Sequence, residues 1–131
     1  MLSSGLHQAA ETFFVEFDAA FASFDGSVVA TRYSPPYLAV RADGTSETFP
    51  SGEAIAHYFQ KILDEHHRRG CRSCRHRALD LIPVGSAAVF ATVTWELLGH
   101  DESVVTTWRE SYNLVRSGLK LTAVASMDHA K

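Results

Sequence analysis

Three runs of alternating apolar residues close the chain, and short turns between them leave little freedom in how they pair. The run Ala87 to Leu98 passes through Gly99-His100-Asp101-Glu102 into Val104 to Val115, and Ser117-Gly118 then turns into Leu119 to Met127. Consecutive runs joined so tightly form an antiparallel meander. Counting outward from the first turn sets Trp95 opposite Thr106, Val93 opposite Trp108, Ala91 opposite Glu110 and Val89 opposite Tyr112. Counting from the second sets Tyr112 opposite Ala123, Glu110 opposite Ala125 and Trp108 opposite Met127. Side chains alternate faces along a strand, so these residues share one surface. That surface is otherwise Val, Ala, Leu and Trp, and a carboxylate on it is costly unless something compensates it.

The rest of the chain supplies helices to cover that surface. Leu6, Ala10, Phe13, Phe17, Phe21 and Phe24 recur at helical spacing, with Phe14 widening the stripe and Ser4 placed to cap its start. Asp25-Gly26 ends this helix, and Asp25 suits the cap of a short second one running through Val28, Val29 and Tyr33. Ser34-Pro35-Pro36 cannot continue a helix. Tyr37 to Arg41 and Ser46 to Phe49 read as a hairpin about Asp43-Gly44. Ser51 caps a third helix whose buried stripe is Ile55, Tyr58, Phe59, Ile62 and Leu63. Its basic tail ends at Gly70, and a strand from Cys71 to Ile82 leads into the meander. Helices segregated before a meander predict an α+β fold.

These elements resemble, in order and spacing, the nuclear-transport-factor-2-like superfamily, in particular its SnoaL-like and ketosteroid-isomerase-like branches. The resemblance is carried by the aromatic first helix leading to Asp25-Gly26 and Pro35-Pro36, and by Ser51-Gly52-Glu53 at the third helix. It also rests on the closing pattern from Tyr112-Asn113 to Lys120-Leu121. Relatives commonly carry a tryptophan where Leu119 or Leu121 stands, and this chain departs there. The resemblance implies a single SnoaL-like domain over residues 1–131. It also implies a cone-shaped, curved antiparallel sheet wrapped around the long N-terminal helix and the third helix, a cystatin-like roll with an apolar pocket. Relatives usually pair as homodimers through the outer sheet face.

Extending the register to the Cys71–Ile82 strand pairs Ile82 with Ala87, Asp80 with Val89, Ala78 with Ala91 and His76 with Val93. Glu110 is then ringed by alanines, with His76, Asp80 and Tyr112 around it. The chemistry such a cluster offers is proton transfer. Burial raises the acid's pKa, which suits Glu110 to general acid–base work. His76 can shuttle the proton, Asp80 orient His76, and Tyr112 donate to an oxyanion. Trp108, Trp95, Phe17, Tyr58 and Arg72 are the expected ligand contacts. Alternatively, Glu110 is a structural acid paired with Arg72. A one-residue slip of this strand would instead turn Leu79 and Leu81 inward and expel His76 and Asp80.

Three function classes follow: a small-molecule-binding domain of unassigned activity, an isomerase-, dehydratase- or cyclase-type enzyme using acid–base chemistry, and a non-catalytic homodimerisation domain filled by its own aromatics. The partner expected in the pocket is a small, mostly apolar molecule, with no cofactor. Cys71 and Cys74 face opposite ways on an extended strand and lack a second ligand pair, so no metal is expected and both thiols stay reduced. A net charge of −3, with the arginines from Arg68 to Arg77 spread over several surfaces, argues against nucleic acid. The absence of a long apolar run or a signal-like start points to a cytoplasmic protein without membrane contact.

Overall fold

Aromatic spacing on the first helix decides how the molecule assembles. The computed structural model describes residues 4–130. Helix α1 (Ser4–Ala22) buries Leu6, Ala10, Phe13, Phe14, Phe17 and Phe21, the stripe its spacing predicts. The capping role given to Ser4 concerns a side chain outside the described residues. Asp25 caps α2 (Gly26–Ala30) by accepting from the Ser27 amide, and Ser51 caps α3 (Gly52–Arg68) by accepting from Ala54. Around them lie β1 (Tyr33–Val40), β2 (Ser46–Phe49), β3 (Ser73–Pro83), β4 (Ala88–Leu98), β5 (Val104–Ser117) and β6 (Lys120–Asp128). The fold is α+β, with six strands in one curved open sheet ordered β2-β1-β6-β5-β4-β3. Among the described residues, no helix is long and apolar enough to cross a membrane.

Several local expectations are corrected. Tyr33 opens β1 rather than closing α2, and Ser34-Pro35-Pro36 lie inside the strand, with the Pro35–Pro36 bond cis. The sheet is also not wholly antiparallel: β1 runs parallel to β6, pairing Ala39 with Ser126 and Val40 with Met127. Contact between the first and last strands needs no hairpin, because the whole chain between them serves as the crossover.

The meander keeps its predicted faces on β4 and β5 but in a register two residues along. Trp95 faces Trp108, Val93 faces Glu110, Ala91 faces Tyr112 and Val89 faces Leu114. A shift of two preserves which side chains point inward. Two bulges do not. In β6 the pairing jumps from Leu114–Ala123 to Asn113–Ala125, leaving Val124 as the extra residue. Below that point the inward residues are Ser126 and Asp128, not Ala125 and Met127. Ser126 is buried while Met127 is half exposed. In β3 the pairing jumps between Arg77 and Asp80, with Ala78 in a left-handed conformation at φ 54°. His76 therefore stays inward opposite Trp95, while Asp80 turns outward opposite Thr92. An inserted residue reverses every face beyond it.

Helices α2 and α3 touch closely enough to demand glycine. A Cβ on Gly26 would lie 2.3 Å from the Ala56 carbonyl oxygen, and the Gly26 amide donates to Gln60 Oε1 at 2.7 Å. Gly26→Ala should therefore cost about 3 kcal/mol through overpacking. Gly52→Ala, where the added methyl meets open space, should stay within about 0.5 kcal/mol of the parent. Urea unfolding of the two variants checks the contrast.

Candidate functional site

Glu110 is 9% exposed and lies on the concave face of β5 between Trp108 and Tyr112. Its cross-strand neighbours are Val93 on β4 and Asp128 on β6, so it is not ringed by alanines. Trp108 Nε1 donates to Glu110 Oε1 at 2.9 Å, and the hydroxyls of Tyr112 and Ser126 also hydrogen-bond to the carboxyl. Two of those donors are themselves supported. Trp95 Nε1 donates to the Tyr112 hydroxyl at 2.8 Å, and Tyr37 shares a 2.5 Å hydrogen bond with Ser126. Among the described residues, no buried side-chain polar atom lacks a partner. Networks satisfied in this way hold their members in fixed orientations.

Two carboxyl groups thus meet at one place. Burial raises the Glu110 pKa to about 8, with the adjacent Asp128 carboxylate adding to the rise and the donors from Trp108, Tyr112 and Ser126 opposing it. Burial also raises the Asp128 pKa, against the effects of its hydrogen bond with Glu110 and of the Arg41 and His129 charges. Two acids this close cannot both ionise cheaply, so they share a proton. The pair as a whole therefore carries less than two negative charges near neutrality, and Asp128, only half-buried, is its more accessible member.

The pair stands at the floor of an open cleft of about 450 Å³ between α3 and the ends of β1, β5 and β6. Tyr37, Ala39 and Arg41 line it from the β1 side, and Tyr58, Phe59, Ile62 and His66 from α3. Tyr58, Phe59 and Ile62 are only partly buried for this reason, whereas Ile55 and Leu63 of the same helix are sealed. Behind Trp108 and Glu110 lies a second, apolar space of about 70 Å³, lined by Phe17, Tyr33 and Trp95 among others. Its volume matches only two or three waters. The deep part of the cone is therefore filled by its own aromatic rings, and the space for a ligand is the outer cleft.

The sequence-predicted site residues divide accordingly. Glu110 and Tyr112 meet as expected, Trp108 and Tyr58 line the cleft, and Trp95 and Phe17 line the inner space. His76 lines neither: its Nδ1 bonds Asp18 Oδ2 of α1 at 2.7 Å, and burial raises the Asp18 pKa. Asp80 does not orient it, being exposed on the outer face, where it accepts from Arg109 Nη2 at 2.7 Å. Arg72 is also outside the site. Its Nη1 donates to the carbonyls of His67 and Cys71 at the end of α3, so Glu110 has no arginine partner there. Cys71 and Cys74 are both free and buried, and burial raises both thiol pKa values. Among the described residues, no group of three or more His, Cys, Asp or Glu gathers into a metal-binding set.

Ser126, Asp128, Tyr37 and Asp18 join these networks without being among the residues that the sequence pattern singles out. The signal for the first two is the alternation Ser126-Met127-Asp128, which puts polar groups on one face once an extra residue is allowed at Val124. Asp18 lies four residues after Phe14 and four before Ala22, and helical spacing alone gives it no partner.

A model of NTF2-like proteins (DUF6841) matches residues 7–130 of the chain. No curated protein matches the sequence. Among solved structures, the fold is similar to that of Aln2 from a Streptomyces species, with TM-score 0.75 at 17% identity over 97% of this chain and 91% of that one. It is similar too to a domain of unknown function with a cystatin-like fold from Nostoc punctiforme, with TM-score 0.74 at 15% identity over 98% and 79% of the two chains. An NTF2-like protein with a cystatin-like fold from Novosphingobium aromaticivorans gives TM-score 0.73 at 9% identity over 94% and 80%. Identities this low establish a shared fold and nothing about chemistry.

Proposed function

The chain belongs to the NTF2-like protein family DUF6841, and we propose that it is a small-molecule-binding domain whose ligand occupies the outer cleft. The observation that carries this reading is the cleft itself. Its volume of about 450 Å³ falls in the range of small-molecule sites, and walls rich in aromatic and aliphatic side chains carry a few polar groups, with Glu110 and Asp128 at the floor. The ligand is small and mostly apolar, with its polar end toward Glu110 and Asp128 and its body against Tyr58, Phe59 and Trp108. In proton NMR, fragments that bind should shift the indole N–H of Trp108, which borders the cleft, more than that of Trp95, which is 2% exposed. Shifts confined to Trp95, or to neither indole, would reject the assignment.

A second reading, acid–base catalysis in the same cleft, is favoured by the proton shared between Glu110 and Asp128. A neutral acid beside a carboxylate supplies both partners of a proton transfer near neutral pH. Asp128, the more accessible of the two, is the group that reaches substrate, with Glu110 as its proton store. Under this reading Asp128→Asn lowers turnover more than it lowers substrate affinity.

The outer sheet face is the proposed homodimer surface. Ile82 and Met127 project from it at 57% and 50% exposure near the half-buried Phe90, and Val105 at 42% exposure toward the far end of the β4–β5 ladder. Sedimentation equilibrium should give twice the chain mass at micromolar concentration, and Phe90→Lys should weaken the pairing. A monomer under those conditions would remove the proposal.

A further inference from the structure

We propose that the ligand of the outer cleft is an organic cation, an amine or ammonium group on an apolar body, whose charge docks on the Glu110–Asp128 pair between the faces of Tyr58, Phe59 and Trp108. The inference rests on the binding reading above and adds the charge of the ligand. Its starting point is a missing counter-charge. Glu110 is buried and Asp128 half-buried, yet among the described residues no lysine, arginine or histidine forms an ion pair with either. The groups that do contact Glu110 are neutral donors from Trp108, Tyr112 and Ser126, and the acid Asp128. Carboxylates withdrawn from water are ordinarily paired with a cation. Here the pair retains a proton in place of one.

The charged and titratable groups around the pair leave that role open. Arg41, at the end of β1, acts on Asp128 from the cleft mouth but is committed to Glu47 at 2.9 Å. His129, beyond β6, lines the cleft and its charge also acts on Asp128, but it makes no ion pair with either acid, its Nε2 being held by Ser111 Oγ at 2.7 Å. His66 of α3 stacks on Trp108, and burial lowers its pKa, so it stands neutral at pH 7. Tyr33, Tyr37, Tyr58 and Tyr112 all have raised pKa values and stay uncharged.

The walls argue the same way. Tyr37, Tyr58, Phe59 and Trp108 line the cleft, with the Tyr58 and Phe59 rings 5.0 Å apart and the Tyr37 and Phe59 rings 6.1 Å apart. Aromatic faces attract a desolvated cation through their quadrupoles. A neutral ligand would leave Asp128 without its counter-charge, and an anionic one would be repelled. A bound cation replaces the shared proton, so proton release accompanies binding and affinity rises with pH, by about tenfold per unit at the limit.

The test compares three probes of one shape: 2-phenylethylammonium, 2-phenylethanol and phenylacetate, titrated calorimetrically into the full chain at about pH 6, 7 and 8. The cation should bind at least about tenfold more tightly than the alcohol, and its advantage should grow with pH. Asp128→Asn, at the less buried position, and Glu110→Gln should each bring the cation's affinity down toward that of the alcohol. Equal affinities for cation and alcohol, or a preference for phenylacetate, would overturn the inference while leaving the binding reading intact. Binding of none of the three would defeat both.

Discussion

Between about pH 5 and pH 8 the titration of Glu110 should cost the fold on the order of 3 kcal/mol, and Glu110→Gln should abolish most of that loss. The sign follows from proton counting. In the unfolded chain Glu110 titrates near its ordinary value of 4.5, whereas in the folded chain burial and Asp128 raise it to about 8. Between those values the folded state holds a proton that the unfolded state has released, so stability falls as pH rises, by about 1.4 kcal/mol per unit at most. The contribution is complete below the unfolded value and gone once pH passes the folded one. Glu16, Glu65 and Glu96 have lowered values and act oppositely, but their stabilisation is lost only in acid, below the window that Glu110 controls. Glutamine keeps the shape of the neutral acid and can still donate to Asp128. The variant should match the parent near pH 5 and exceed it at pH 8.5. Urea unfolding across that range reads the difference, and parallel curves for the two proteins would refute the shared-proton description.

Phe14→Ala should cost about 3–5 kcal/mol without altering the cleft. Phe14 is fully buried and its ring packs against Phe13, His76, Trp95 and Tyr112 at centroid distances of 4.9–5.8 Å. Its removal leaves a void where α1 meets β4 and β5. Phe14 does not line the outer cleft, so the midpoint of unfolding should drop steeply while probe affinity at low temperature holds. A loss below about 1 kcal/mol would mean that the helix and sheet are not held together by these rings.

What the sequence made legible follows from which signals are periodic. The stripe on α1, the caps at Asp25 and Ser51, and the inward set Val89, Ala91, Val93 and Trp95 depend on spacing within one element, and they hold. Register across strands is weaker information, yet the two-residue error between β4 and β5 was harmless because it preserved parity. The bulges were not harmless. Ala123-Val124-Ala125 is apolar on both faces, so alternation there cannot reveal an inserted residue. Strict alternation reverses the faces beyond it, turning Ala125 and Met127 inward in place of Ser126 and Asp128. At Ala78 the two registers considered for β3 are both partly realised: His76 inward as in one, Leu79 and Leu81 inward as in the other. Arg72 does not pair with Glu110, because its guanidinium turns to the His67 and Cys71 carbonyls, and Glu110 meets instead a second acid with which it shares a proton.

Native mass spectrometry of the chain purified gently from its source tests the central claim most directly. The binding account predicts a population carrying one small-molecule mass per chain, released when the cleft is altered by Tyr58→Ala or the floor by Asp128→Asn. Only the bare polypeptide mass in the parent protein, unchanged after incubation with an extract of the same cells, would contradict it.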